Sequence, residues 1–296
     1  MTAVAAAPTR RVRAASAPGR SRESRGTRLG LGLAAWAVGL LFVLPLVWMV
    51  LTSLHSETDA ASPSPQVFAP LTLEGYREFF GAASGANPWP ALINSLWAAG
   101  VSTILVVLLA VPAAYALSVK PVRKWSDVMF FFLSTKFLPA VAGLMPLYLI
   151  AGRLQILDNI WFLLIIYAAM NLPIAVWMLR SFLVDIPPAL FEAASLDGAG
   201  LLTTLRRIIL PIISPGVAAT ALICFIFAWN EMLFARVLTG VTANTAPVYL
   251  TGFVTSQGQF LAQVCAAATV VSLPVLIAGF AAQDKLVQGL SMGAVK

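Results

Sequence analysis

Charge is what this sequence has least of. Of its 296 residues only 10% are charged and 59% are apolar, and the mean hydropathy is +0.87. Soluble domains carry about a quarter charged residues, so a water-soluble enzyme of this size and a disordered chain are both excluded. Histidine occurs once, as His55, and cysteine twice, as Cys224 and Cys265. Both cysteines fall in apolar stretches, so no disulfide framework is implied, and no cluster has metal-ligand spacing. No G-x-x-x-x-G-K-[ST] phosphate loop is present, so nothing in the chain supplies energy. No acid lies deep in an apolar stretch and no internal repeat is found, which argues against an ion-coupled carrier. Paired acids and a serine–histidine constellation are missing there too, so no residue is a candidate for catalysis.

What is present is apolar length. Six segments stand out, roughly 30–52, 92–117, 128–152, 160–180, 212–235 and 259–283. A helix needs about 20 apolar residues to cross a bilayer, and a β-barrel would instead show alternating segments of about ten. The expected fold is an all-α integral membrane protein with six transmembrane helices. Seven arginines (Arg10, Arg11, Arg13, Arg20, Arg22, Arg25, Arg28) against one acid, Glu23, precede the first segment and place the N-terminus in the cytoplasm. Counting on, Lys120, Arg123, Lys124, Arg180, Arg206, Arg207, Lys285 and Lys296 also face inward, making fifteen of nineteen basic residues. Arg77, Arg153 and Arg236 fall outside, and the topology is N-in, C-in.

Residues 1–28 read as a disordered basic tail, 29–284 as the six-helix domain, and 285–296 as a cytoplasmic tail. The tail's arginines are interleaved with Ala, Ser, Pro and Gly and lack stacking aromatics, which points to anionic lipid headgroups and not to nucleic acid. Arg10-Arg11 is a poor export signal, since the apolar run after it exceeds the usual 7–15 residues. His55 is expected at the solvated outer edge of the first span. Segment 53–91 is the one long polar stretch; it is either a connector or functional, and 71–76 can start a short surface helix.

The most informative segment is the loop 182–211. Pro187 and Pro188 can open a helix, whose first turn needs no amide donor. Pro188 to Leu196 then forms a short helix with Glu192 in its early turns, at the positive end of the dipole. Gly198 ends it in a left-handed cap, a second helix resumes from Leu201 to Ile209, and Pro211 leads into the next span. The product is a rigid knob with small residues for close approach by another protein, or else an ordinary amphipathic loop helix.

Glu192-Ala193-Ala194, Gly198, Ile208 and Leu210-Pro211 resemble, at every fixed position, the E-A-A-x3-G-x9-I-x-L-P pattern of ABC-importer permeases. Trp229-Asn230-Glu231 and the C-terminal 289–296 are similar to the six-span subunit of maltose-type carbohydrate permeases. Residues 133–139, 144–148, 171–174 and 176–178 resemble the sorbitol/mannitol branch. The resemblance implies a type I ABC importer permease fold in a bacterial cytoplasmic membrane. It implies coupling of Glu192, Ala193, Ala194, Asp197, Gly198 and Ala199 to a separate ATPase, with Glu192 the polar contact, Ala193 and Ala194 the packing face and Gly198 the turn. The implied partners are a second homologous permease, two ATPase subunits that hold ATP and Mg, and an extracytoplasmic solute-binding protein. No cofactor is expected on this chain.

Lys136 lies inside the third segment. A lysine at a helix centre costs about 2.5–3.5 kcal/mol on insertion scales, so it lines the solute route or pairs across an interface, unless the span starts later and it snorkels to the surface. Pro112, Pro139, Pro146, Pro173 and Pro274 interrupt spans and can free carbonyls. Ser134, Thr135 and Asn171 are candidate ligands for an uncharged polyol, or polar glue between helices. Asn230 and Glu231, near the outer end of the fifth segment, can gate the route or dock the binding protein.

Overall fold

Proline and small residues decide where the apolar stretches stay helical and how closely they pack. The computed structural model describes residues 25–64, 67–81, 87–119, 122–255 and 258–294. Arg10, Arg11, Arg13, Arg20, Arg22, Glu23, Lys120 and Lys296 lie outside the described residues, with the greater part of the expected basic tail. The chain divides into two units, one ending at Trp48 and the other beginning at Met49.

The elements are α1 (Arg25–Thr52), α2 (Glu57–Ala60), α3 (Glu74–Phe79), α4 (Trp89–Ser118), α5 (Trp125–Ser134), α6 (Ala140–Arg153), α7 (Ile160–Val184) and α8 (Pro188–Leu196). After these, α9 (Leu201–Thr203) passes through a π-helical stretch, Thr204–Ile209, into α10 (Leu210–Ile212). Then come α11 (Ser214–Trp229), α12 (Leu233–Leu238), α13 (Ala246–Leu250), the 3-10 turn Thr251–Phe253 and α14 (Leu261–Ala294). Before α14, a two-residue antiparallel ladder pairs Val254 with Gln259 and Thr255 with Gly258.

Four helices are long and apolar enough to cross a membrane: Leu29–Thr52, α4, α7 and Leu261–Lys285. Leu201–Ile212 and Ser214–Trp229 make a fifth crossing if taken together, bent by 84°. Pro215 causes part of that bend, because it gives no amide to the carbonyl of Pro211. Among the described residues, six unbroken spans are therefore not what forms. The third expected segment, 128–152, is two helices of 10 and 14 residues, each too short to cross alone. Pro139 is the reason. It restrains Leu138 to an extended backbone and itself sits at ψ 126°, outside the helix it precedes. The fifth expected segment likewise ends early, at Trp229. At the other end, α14 runs on through Lys285, so the boundary drawn at 284 falls inside a helix.

The core forms where α4 lies along α7 and α11 closes against both and against α14. The buried face of α4 is small: Ala98, Ala99, Ser102, Val106, Ala110 and Ala114. Without a hydrophobic drive between helices in lipid, such residues hold them by close van der Waals packing. Leu163 and Tyr167 of α7 pack into one end of this seam and Leu179 and Leu183 into the other.

The polar segment after α1 folds back on the protein. Thr72 N–H donates to the carbonyl of Leu54 at 2.6 Å, and the hydroxyls of Ser53 and Tyr76 meet at 2.8 Å. The expected helix near 71–76 exists as α3, but it is not a surface helix: Gly75 and Phe79 are buried. A Cβ at Gly75 would stand 2.7 Å from the carbonyl oxygen of Ala262 on α14, so only glycine permits this contact. His55, just past the end of α1, is 3% exposed with its Nε2 unpartnered, and not solvated as expected.

Candidate functional site

The loop between α7 and α11 is built as a rigid projection. Pro187 caps α8 with ψ 131° and Pro188 occupies its first turn. Gly198 takes φ +71°, the left-handed conformation glycine adopts without Cβ strain. There the Gly198 and Ala199 amides donate to the carbonyls of Ser195 and Ala194 at 3.1 and 2.9 Å. Thr204 Oγ1 donates to the Gly200 carbonyl at 3.1 Å and fixes the second helix.

One ring contact ties α8 to the bundle, and a second pair of contacts braces the helix ends beside it. The Phe191 ring meets Tyr115 of α4 edge-on at 6.1 Å. Arg180 of α7 donates through Nε to the Leu117 carbonyl at 3.2 Å while its guanidinium lies 4.0 Å over the Trp125 ring. Ala194 faces inward and is buried, whereas Glu192, Ala193, Asp197 and Gly198 are exposed and Ala199 is half-buried. The exposed side thus presents the Glu192 carboxylate at the middle of α8, the small Ala193 beside it and the Asp197 carboxylate at its C-terminal cap.

The expected route residues fall into two groups. Lys136 sits in the break between α5 and α6 and reaches α7, donating from Nζ to the Met170 carbonyl. One residue on, Asn171 is buried and donates through Nδ2 to the Tyr167 carbonyl at 3.0 Å. The Tyr167 hydroxyl in turn donates to the Glu231 carbonyl at 3.2 Å. Three polar contacts therefore fall between Tyr167 and Asn171 of α7. Ser134, Thr135 and Asn230 do not join them; their side chains donate to Phe131, Phe132 and Ile226 carbonyls of their own helices at 2.8, 2.7 and 2.9 Å. The Glu231 carboxylate caps α12, accepting from the amides of Phe234 and Ala235 at 3.0 and 3.2 Å.

Sequence reasoning missed a clamp at the end of α7 opposite α8. Asp158 accepts four successive amides, Gly240, Val241, Thr242 and Ala243, at 2.8, 3.1, 2.9 and 2.8 Å. Burial pushes its carboxyl up, but the amide hydrogen bonds outweigh this and hold it below the usual carboxylate value. Asn94 donates to the carbonyls of Thr242 and Asn244, and Ser95 Oγ accepts from the Ala246 amide at 2.7 Å. Farther along, Glu57 accepts from the Ala262 amide at 3.1 Å and so holds the start of α14. Burial pushes the Glu57 carboxyl up against the pull of these amides.

Helices of membrane-spanning length around a small-residue seam, with a rigid projection between two of them, define a multi-helix membrane protein. Residues 106–292 match the family described as the binding-protein-dependent transport system inner membrane component, and the chain belongs to that family. It is 38% identical to a probable ABC transporter permease protein of Sinorhizobium fredii, covering 93% of this chain and 99% of that one. It is 31% identical to the trehalose transport system permease protein of Mycobacterium tuberculosis, covering 86% and 92%. A bacterial ABC transporter involved in the import of the acidic polysaccharide alginate has a chain of the same fold, with TM-score 0.70 and 23% identity over 89% of this chain and 99% of that one. The protein is accordingly a multi-pass inner-membrane permease subunit and not an enzyme; ATP hydrolysis belongs to a separate ATPase.

Proposed function

We propose that this chain is a permease subunit of a carbohydrate importer and that α8 is its coupling helix. The observation that carries the reading is the outward face of α8. Glu192, Ala193 and Asp197 are exposed on a helix fixed at both ends, within the one segment that resembles the coupling motif. In this reading α8 faces the cytoplasm, both termini are cytoplasmic, and α5 with α6 make a broken sixth crossing. The chain pairs with a second, related permease, two ATPase subunits holding ATP and Mg, and an extracytoplasmic binding protein. Closure of the ATPases draws the coupling helices together, and the solute passes by alternating access.

The solute is a small, neutral carbohydrate. The trehalose permease among the relatives favours a disaccharide. The segments around Lys136, Pro146 and Asn171 that resemble the sorbitol/mannitol branch favour a polyol. Uptake of labelled trehalose, maltose, sorbitol and mannitol in matched cells with and without this chain, the other subunits present in both, separates the two. Dependence on this chain and on an active ATPase supports the importer, and the labelled solute selects the branch. Uptake that survives an inactive ATPase and collapses with the ion gradient contradicts it.

A further inference from the structure

We propose that a cavity at the end of the bundle opposite α8 is a glycosyl-binding subsite on this chain, a place where one sugar ring is held before it moves into the bundle. The inference rests on the carbohydrate reading above. The cavity measures about 470 Å³ and is bounded by α3, α13, the 3-10 turn and the start of α14. That volume lies within the range of small-molecule sites, about 300–1,000 Å³.

Its lining has the chemistry a sugar ring requires. Glu78, Asn244 and Gln263 supply a carboxylate and two carboxamides, groups that bond neighbouring hydroxyls in pairs, and Tyr249, Phe253 and Phe260 supply rings for the C–H faces. The aromatic wall is braced, since Tyr249 and Phe253 pack edge-on at 5.6 Å and the buried Phe79 backs both at 6.1 and 5.9 Å. Two lining residues also hold a polar atom without a partner, Asn244 Oδ1 and the Tyr249 hydroxyl. Buried polar atoms are nearly always bonded, so a sugar hydroxyl that reaches either replaces a missing bond. The wall is also fixed in place: Asn94 binds the carbonyl of Asn244 at 2.9 Å, and the Asp158 clamp ends one residue before it.

The test uses the assembled transporter in proteoliposomes and two photoreactive probes, diazirine-bearing trehalose and sorbitol. Cross-links are mapped by peptide sequencing, with ATP-driven uptake measured on the same preparation. The expected result is labelling of 244–253 or of Gln263, competed by the unlabelled solute that is taken up. Gln263→Leu, which removes the carboxamide and keeps the volume, weakens competition about tenfold. Uptake that proceeds while these peptides stay unlabelled, or label that no sugar competes, overturns the subsite and leaves the importer standing. A lack of ATP-driven uptake for both solutes overturns the trehalose and polyol readings of the solute, and the subsite for them, and leaves the family assignment standing.

Discussion

Replacing Asp158 by alanine removes one carboxylate and leaves four consecutive amides without their acceptor. A hydrogen bond to a charged group contributes about 1.5–3 kcal/mol. The four here share one half-exposed charge, and water reaches the bared amides, so the sum is discounted to about 2–3 kcal/mol. That corresponds to about a 30- to 150-fold increase in local opening. The assay is hydrogen exchange of the 240–243 amides in the assembled transporter. Asp158→Ala is expected to lose protection there and to keep it in α4 and α7. Asp158→Asn falls between, because it retains one carbonyl and turns an amide group toward two donors. The pH dependence has a fixed sign. The folded carboxyl lies below its usual value, so its stabilisation is complete above the unfolded value of about 4 and is lost as pH falls through the folded one. Unchanged exchange at 240–243 in Asp158→Ala would refute the clamp.

Gly75→Ala places a methyl group 2.7 Å from the Ala262 carbonyl oxygen; it is expected to lower the unfolding temperature through about 1–3 kcal/mol of overpacking, and an unchanged melting curve contradicts the contact. Gly198→Ala imposes a left-handed conformation, φ +71°, on a residue with a Cβ, at about 1–2 kcal/mol. Solute-stimulated ATPase activity should fall while membrane abundance holds, and normal stimulation would mean that the turn does not set the pose of α8. Lys136→Met removes the bond to the Met170 carbonyl and is expected to reduce uptake without reducing abundance. Normal uptake would remove Lys136 from the solute route.

The loop 182–211 was legible because its geometry is local. Proline at a helix start, glycine at φ > 0 and a following helix are written within 20 residues, and Pro188–Leu196 forms as the residues imply. Length and hydropathy also read out α4 and α7, although neither measure reveals that Pro139 cuts the third segment in two. The Asp158 clamp was not legible, because its partners lie 82 to 85 residues away. Locally, Asn159 takes the capping role for α7, accepting from the Trp161 and Phe162 amides, so nothing nearby marks Asp158 as different. His55 misled for a related reason: polar composition read 53–91 as solvated, while the bonds from Thr72 to Leu54 and from Ser53 to Tyr76 fold part of it inward.

The central claim is that α8 transmits the work of a separate ATPase, and Glu192→Lys tests it most directly. Reversing a charge on α8 should leave this chain's folding intact, since Glu192 is exposed. ATP-driven uptake and solute-stimulated ATPase activity are measured together in proteoliposomes containing equal amounts of wild-type or variant transporter. The expected result is loss of both activities with the binding protein still captured at the outer face. Full uptake by the variant at equal abundance would contradict the coupling role of α8.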